Sequence, residues 1–422
     1  MSLHNYKNQF NTLIKKEFRN NQISDLRKNA FSKFLKTGIP TKQWEDWRFT
    51  SLSKFKKKSF QIREKIDHSK SKLNFSKYIK EKTITLISYN GHFIEYNKPL
   101  PNGLKILSGF NHLKLNNFNE NLTLKYNSTF ELMNLAFMDS GFTIIVEKNT
   151  FIKKPIQFLF LSESNDNLMT TPRIHLYLKE NSSITFIEEH IDKKGSFFHN
   201  ISTHIELNNN SSLNHIRIQS NSLSTTCINN IKVKQDRNSK YNFIQFSDGS
   251  ELSRLNLKSN LNAPGSESSI SGISLSKKGQ HIDNNIIINH KAPHCVSRQN
   301  FKSILKDNSS GVFNGRTIVK KNAQKTNSSQ SNKNILLSEN AKMHSNPQLE
   351  IYADDVKCSH GSSSGQIDDE TLFYLRSRGL DTVASKTLLL RGFVSEIFSE
   401  IKNDLIKKMI LNKFDHWLNN KN

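Results

Sequence analysis

The stretch Thr203-His204-Ile205-Glu206-Leu207, then Asn209-Asn210-Ser211-Ser212, then Leu213-Asn214-His215-Ile216-Arg217-Ile218 reads as strand, tight polar turn, strand. The same grammar occurs upstream, where Arg173 to Leu178 leads through Glu180-Asn181-Ser182-Ser183 into Ile184 to Ile187. Downstream, Ile231-Lys232-Val233 is followed by Asp236-Arg237-Asn238-Ser239 and Tyr241 to Ile244, and Leu255-Asn256-Leu257 by Ala263-Pro264-Gly265-Ser266 and Ser269 to Ile273. The unit returns roughly every 28 residues, a period that belongs to stacked repeats rather than to a sandwich. One unit is too small to bury its own apolar face. Stacked as coils of a β-helix, the units bury a continuous column of Ile, Leu, Val and Phe, while Asn and Ser accept the tight turns. Asn284 to Ile288, Asn308 to Phe313, and Asn334 to Leu337 before Glu339-Asn340-Ala341 fit more loosely. A β-helix core is therefore expected, with a many-stranded sandwich as the alternative.

Outside the repeat the texture is helical. Phe10, Leu13, Ile14 and Phe18, then Leu26, Ala30, Phe31, Phe34 and Leu35, recur mostly at spacings of three to five, and Gly38 and Pro40 stop the second helix. The aromatic run Trp44-Glu45-Asp46-Trp47-Arg48-Phe49-Thr50 reads as a structural corner. Short strands begin near Thr83, and Asn90-Gly91 is a hairpin signal. After Gly365 helical spacing returns: Asp368-Asp369-Glu370 suits a helix N-terminus, Arg378-Gly379 ends that turn, and further helices run from about Thr382 to Leu418. Three regions follow: helical over 1–80, β-helix over 81–365, helical over 366–422. Both ends are amphipathic enough to dock partners.

The chain of 422 residues carries a formal charge of +24. Nucleic acid is the usual suspect for such a balance, but these lysines are dispersed, as AT-rich coding also produces. The densest run, Lys54-Phe55-Lys56-Lys57-Lys58-Ser59-Phe60, interleaves aromatics with lysines, yet its phenylalanines suit a core and no second run matches it. A basic β-helix binding a polyanion stays as the alternative function. The three cysteines, Cys227, Cys295 and Cys358, imply no disulfide framework and fit a reducing compartment. With no apolar leader at Met1 to Lys7 and no run near the ~18 apolar residues that span a bilayer, a soluble protein is expected, cytoplasmic or in a plastid after removal of a transit segment.

One pair stands out chemically. Cys358 and His360 follow the alternating run Pro347 to Lys357, and residues i and i+2 of a strand share a face. Thiolate and imidazole ligate iron in sulfide clusters or zinc, but two ligands cannot close a tetrahedral site. The rest must come from elsewhere in the fold, a second protein, or inorganic sulfide. His290-Lys291-Ala292-Pro293-His294-Cys295 has metal-binding letters, but Pro293 argues against the helix that would align its histidines, and a loop is expected. No Gly-x-Ser-x-Gly elbow or phosphate-binding Gly-x-x-x-x-Gly-Lys-Ser/Thr loop occurs, and Asp354-Asp355 is the clearest carboxylate pair of the strand-rich region. These features point to a scaffold rather than an enzyme.

The residues from Pro347 to Phe393 resemble a known family. Ala353-Asp354-Asp355-Val356-Lys357-Cys358-Ser359-His360-Gly361, Leu372-Phe373-Tyr374-Leu375, Ser377-Arg378-Gly379-Leu380 and Gly392-Phe393 look like the SufD members of the SufB/SufD family of iron–sulfur cluster assembly. Val312-Phe313-Asn314-Gly315, Ala323 to Thr326, Ser128 to Pro155 and Gly38 to Arg48 extend the likeness over nearly the whole chain. The SufB wording fits less well, since no cysteine precedes Cys227. The resemblance implies a right-handed parallel β-helix with helical ends, and a transient iron–sulfur cluster at an interface with SufB. It implies that His360 is a ligand or essential interface residue there, with Cys358 beside it. It also implies that the SufC ATPase docks on the C-terminal helices, including Leu372, Phe373, Tyr374, Arg378, Gly392 and Phe393. In the absence of partners a homodimer is an open alternative.

Overall fold

The computed structural model describes residues 3–17, 21–62, 75, 78–79, 82–94, 99–108, 128–138 and 141–419; Phe18 lies outside them. Its core is a parallel β solenoid of about eight turns. One face is built from β5 (Gly141–Val146), β7 (Arg173–Leu178), the second half of β8 (Ser183–Leu207), β10 (Thr226–Gln235), β12 (Leu252–Leu261), β14 (His281–His290), β16 (Ser310–Val319) and β18 (Lys342–Ile351). The other runs through β2 (Ile84–Tyr89), β6 (Ile156–Thr170), the first half of β8, β9 (Ser212–Asn221), β11 (Lys240–Gly249), β13 (Glu267–Ser276), β15 (Val296–Leu305), β17 (Thr326–Leu336) and β19 (Val356–Gly365). Each strand from β9 onward pairs with the next but one in the chain, and the long β8, bent across both faces, pairs with its chain neighbours β7 and β9. From β9 onward the register advances between 26 residues (Thr226 opposite Leu252) and 32 residues (Ser310 opposite Lys342) per turn. The repeat expected from the sequence is the coil of this solenoid. Antiparallel strands close its first end: β3 (His92–Ile94) returns on β2 through Asn90-Gly91, both at positive φ, and β4 (Leu104–Ser108) pairs with β5. A short β1 (Gln61–Ile62) adds to β6.

The Asn/Ser turns work as read. Asn149, Asn181, Asn210 and Asn238 all adopt left-handed φ of 53 to 58°, which asparagine tolerates better than other residues with a Cβ. Their side chains form a ladder up one corner, Asn181 donating to Asn149, Asn210 to Asn181 and Asn238 to Asn210 at 3.0 to 3.2 Å. Gly265 ends it: a Cβ there would lie 2.2 Å from Asn238 Oδ1. His294 and Lys325 take the same left-handed corner in the later coils. That exchange of letters is why those coils fit the repeat loosely. After each corner residue, Ser182, Ser211, Ser239, Ser266 and Thr326 turn a hydroxyl back onto the backbone carbonyl three residues earlier. Cys295 occupies this position after His294, wholly buried.

Helices cover both outer faces. α1 (Leu3–Glu17), α2 (Asn21–Thr37), α3 (Ser53–Lys57) and α4 (Thr129–Phe137) bury Tyr6, Phe10, Phe31, Phe34, Phe55, Phe130 and Phe137 against Phe198, Ile228 and Leu252 of the first face. Gly38 at φ 72° closes α2, its N–H donating to the Phe34 carbonyl. At the other terminus, α5 (Asp369–Ser377) is capped by the Asp368 carboxylate on Thr371 N–H, and α6 (Thr382–Glu400) by Asp381 on Ala384 N–H. α6 and α7 (Asp404–Asn419) lay Leu390, Val394, Ile397, Ile406, Ile410, Phe414 and Trp417 on Ile216, Ile218, Ile244, Phe246 and Ile273 of the second face. No helix among the described residues is long and apolar enough to cross a membrane.

The aromatic corner is a strap across the first face. Arg254 stacks on Trp47 at 4.0 Å and forms a buried ion pair with Asp283, whose carboxylate also accepts from Thr50 Oγ1. Thr50 also bonds His281 at 2.9 Å, and Phe49 stacks on His344 of β18. Sequence reading placed the corner but not the coils it ties together.

Candidate functional site

Register decides where Cys358 and His360 sit. In β19 they lie opposite Ser328 and Gln330 of β17, which are 2% and 3% exposed because they face the solenoid interior. Parallel pairing preserves the face, so both residues belong to interior columns: Leu213, Tyr241, Ser268, Ser297, Ser328 and Cys358 in one, His215, Phe243, Ile270, Gln299, Gln330 and His360 in the other. No strand among the described residues pairs with the far edges of β18 or β19. Inward positions that earlier coils bury are consequently open here, with His360 exposed and Cys358 half-buried. The extended conformation runs on to Gly365, so the shared face read from the spacing holds. Cys358 packs on Val319, Ala323 and Ala353; this burial pushes its thiol pKa up, against a backbone hydrogen bond from Ser328.

The other sequence candidates disperse. His290 points inward, its Nε2 2.8 Å from Ser297 Oγ, while His294 forms the corner and Cys295 the buried turn beneath it. Asp355 pairs with Lys325 in the turn between β18 and β19, on the surface. Among the described residues no group of three or more His, Cys, Asp or Glu could hold a metal. In the lysine-rich run, Phe55 and Phe60 are 2% and 0% exposed and have no face for a base, and Lys54 and Lys58 both pair with Glu251.

The partner-binding candidates form a second patch. On α5, Phe373 is 72% and Tyr374 55% exposed, Leu372 half-buried, and Arg378 lies over the Tyr374 ring at 5.3 Å. Val383 and Leu388 of α6 continue the exposed apolar surface. Gly392 is exposed, with no atom within 4 Å of where a Cβ would stand. Phe393 is half-buried, and its carbonyl accepts from Lys302 Nζ at 2.8 Å, a lysine only 5% exposed that also pairs with Glu396.

Sequence reading missed a buried ionic cluster inside the early coils. Glu188 lies 3.2 Å from His215 and 3.4 Å from His190, with Arg217 beyond at 3.9 Å. Burial alone would raise the Glu188 carboxyl, but the attraction of His215 and a hydrogen bond from His190 outweigh it and hold it well below the usual range. Burial lowers His190, and separately His290, from 6.5 to about 4. Unfolded chains therefore bind protons between 6.5 and 4 that these folded histidines refuse, so stability is lost as pH falls through that window. Each histidine contributes on the order of 3 kcal/mol at its full shift, and deprotonated Glu188 adds to the loss in the same direction. Thermal melting over a pH series is expected to show a steep decline from 6.5 toward 4; a flat profile contradicts the burial argument.

Residues 160–393 match the family model described as SUF system FeS cluster assembly, SufBD core domain, and residues 2–158 that of the SufBD protein N-terminal region. The chain belongs to the SufBD family. Within it, an iron–sulfur cluster assembly SufBD family protein of Synechocystis is 31% identical over 285 residues, 65% of this chain and 63% of that protein. The SufD protein of Escherichia coli is 33% identical over 241 residues, 57% of each. The chloroplastic ABCI7 protein of Arabidopsis thaliana is 29% identical over 280 residues, 64% of this chain and 58% of that one. Each match spans less than two thirds of the relative's length.

Proposed function

We propose that this chain is the SufD-type, non-catalytic subunit of an iron–sulfur cluster assembly complex. The observation that carries the reading is one thiol and one imidazole side by side on the inward face of an uncovered terminal coil. They are half of a tetrahedral ligand set for iron, and the open edges of β18 and β19 offer backbone groups on which a second strand-rich protein can complete it. SufB is that protein in this reading, and the nascent cluster is cargo built between the two chains, with His360 and Cys358 as this chain's ligands and sulfide and SufB supplying the rest. The exposed face of α5 and the start of α6, with Leu372, Phe373, Tyr374, Arg378, Gly392 and Phe393, docks the SufC ATPase. ATP hydrolysis there shifts the interface only if SufC binds its two arrangements with different affinity.

Anaerobic co-expression with the cognate SufB and SufC, with purification through a tag on this chain, tests the proposal. A three-protein complex containing iron and sulfide is expected. A chain recovered alone, without iron, and retained on an anionic matrix in a strongly salt-dependent way would instead favour the polyanion reading.

A further inference from the structure

We propose that Gln330 is the positioning residue of His360: its carboxamide oxygen accepts one ring N–H of the imidazole, fixing the tautomer so that the other nitrogen presents its lone pair at the open end. This rests on the reading of His360 as a ligand. Gln330 is the β17 residue opposite His360, on the same inward face, one strand spacing below it. Its amide orientation is determined. Nε2 donates to Thr317 Oγ1 at 2.8 Å and to the Gln348 carbonyl at 3.4 Å, and a backbone carbonyl can only accept, so the nitrogen end is fixed and the oxygen end is turned away from it. That oxygen, Oε1, is buried and has no hydrogen-bond partner. A buried acceptor left unpaired costs about 1 to 3 kcal/mol, so a donor that reaches it is held there.

The imidazole above it on the column makes no such bond in the structure, and in the proposal it supplies that donor. Neutral imidazole carries one N–H and one lone pair, and metal-ligating histidines commonly give that N–H to a neighbouring oxygen, which orients the ring and makes the ligating nitrogen more basic. Thr317 holds the arrangement from the opposite face: its hydroxyl also lies 3.3 Å from Gln299 Nε2 and 3.4 Å from Ser328 Oγ, so the amide is one member of a buried polar layer under the terminal coil. Serine and glutamine here fill positions that Tyr241, Phe243 and Ile270 fill in earlier coils.

The test uses the full chain with isotope-labelled histidine, reading the His360 ring nitrogens by NMR, alone and in the co-purified complex; the His360→Ala spectrum assigns the signal. The wild type and Gln330→Glu, which keeps an acceptor, are expected to show one tautomer, and Gln330→Met both. In the complex, anaerobic titration with ferrous iron is expected to show affinity about 10- to 100-fold weaker in Gln330→Met and recovered in Gln330→Glu. If Gln330→Met does not fold, Gln330→Asn, whose carbonyl falls one methylene short, makes the same comparison. Identical tautomer populations in wild type and Gln330→Met overturn the proposal, as does unchanged iron affinity. The tautomer readout is independent of cluster assembly: should His360→Ala keep full iron and sulfide, the site reading fails while the contact between Gln330 and His360 is still decided by the spectrum.

Discussion

His360→Ala is expected to leave the solenoid and its complexes intact and to remove iron and sulfide from the co-purified assembly. The side chain is exposed on the last coil, and substitutions at such positions shift stability by about 0.5 kcal/mol or less. Its chemistry is not replaceable from nearby, since Cys358 is the other metal-ligating side chain on the inward face of β19, where Ser362 and Ser364 follow. Loss of a direct ligand should exceed the roughly 10- to 100-fold effect typical of a residue that only supports one. Cys358→Ala should be milder, because Cys358 is half-buried against Val319, Ala323 and Ala353 and acts there partly as a small apolar residue. Iron and sulfide per complex, beside a thermal melt of each variant, separate the two outcomes. Full cluster content in His360→Ala would remove the central residue of the proposed site.

Asp283→Ala is expected to cost about 3 to 5 kcal/mol, the largest stability loss of any single change considered. Asp283 and Arg254 are 1% and 2% exposed, and deleting the carboxylate leaves a guanidinium buried without its counter-charge. Asn256 and the face of Trp47 still contact Arg254, but neither supplies negative charge equal to a carboxylate. Thr50 loses an acceptor at the same time, so the strap across the first face is loosened. Replacing both partners, as Arg254→Met with Asp283→Leu, should be less harmful than the sum of the single changes, since no charge is then stranded. Urea denaturation of the four proteins in this cycle provides the check; additive losses below about 1 kcal/mol would show that the pair contributes little.

These two sites differ in how visible they were in the chain. The corners were legible because left-handed backbone admits few residue types, and Asn181, Asn210 and Asn238 advertise it. Past Gly265 the signal fades, since His294 and Lys325 make the same turn without the same letters. The late interior was harder still. Thr326 to Leu336 has the composition of a loop, yet it is a strand whose Ser328, Gln330, Asn332 and Asn334 are buried in hydrogen bonds. Hydrophobic alternation cannot find a strand whose inward side is polar. Cys358 and His360 were legible because their relation is local, two positions on one strand. Gln330 was not, because its relation to His360 exists only through the pairing of β17 with β19. Arg254 and Asp283 likewise meet only across adjacent coils.

A stack of coils behaves as a one-dimensional chain of nearest-neighbour couplings, in which an internal rung is held from both sides and an end rung from one. The turn carrying Cys358 and His360 is such an end rung, whereas the opposite terminus is closed by antiparallel strands. Its conformational entropy is opposed by a single interface, so it is the rung most prone to fray and the one with most to gain when a partner adds a second interface. The two proposed ligands would then be held in place to the extent that the partner is present. An unaccompanied chain would bind metal weakly, and the cost of ordering the last turn would make capture of iron conditional on assembly.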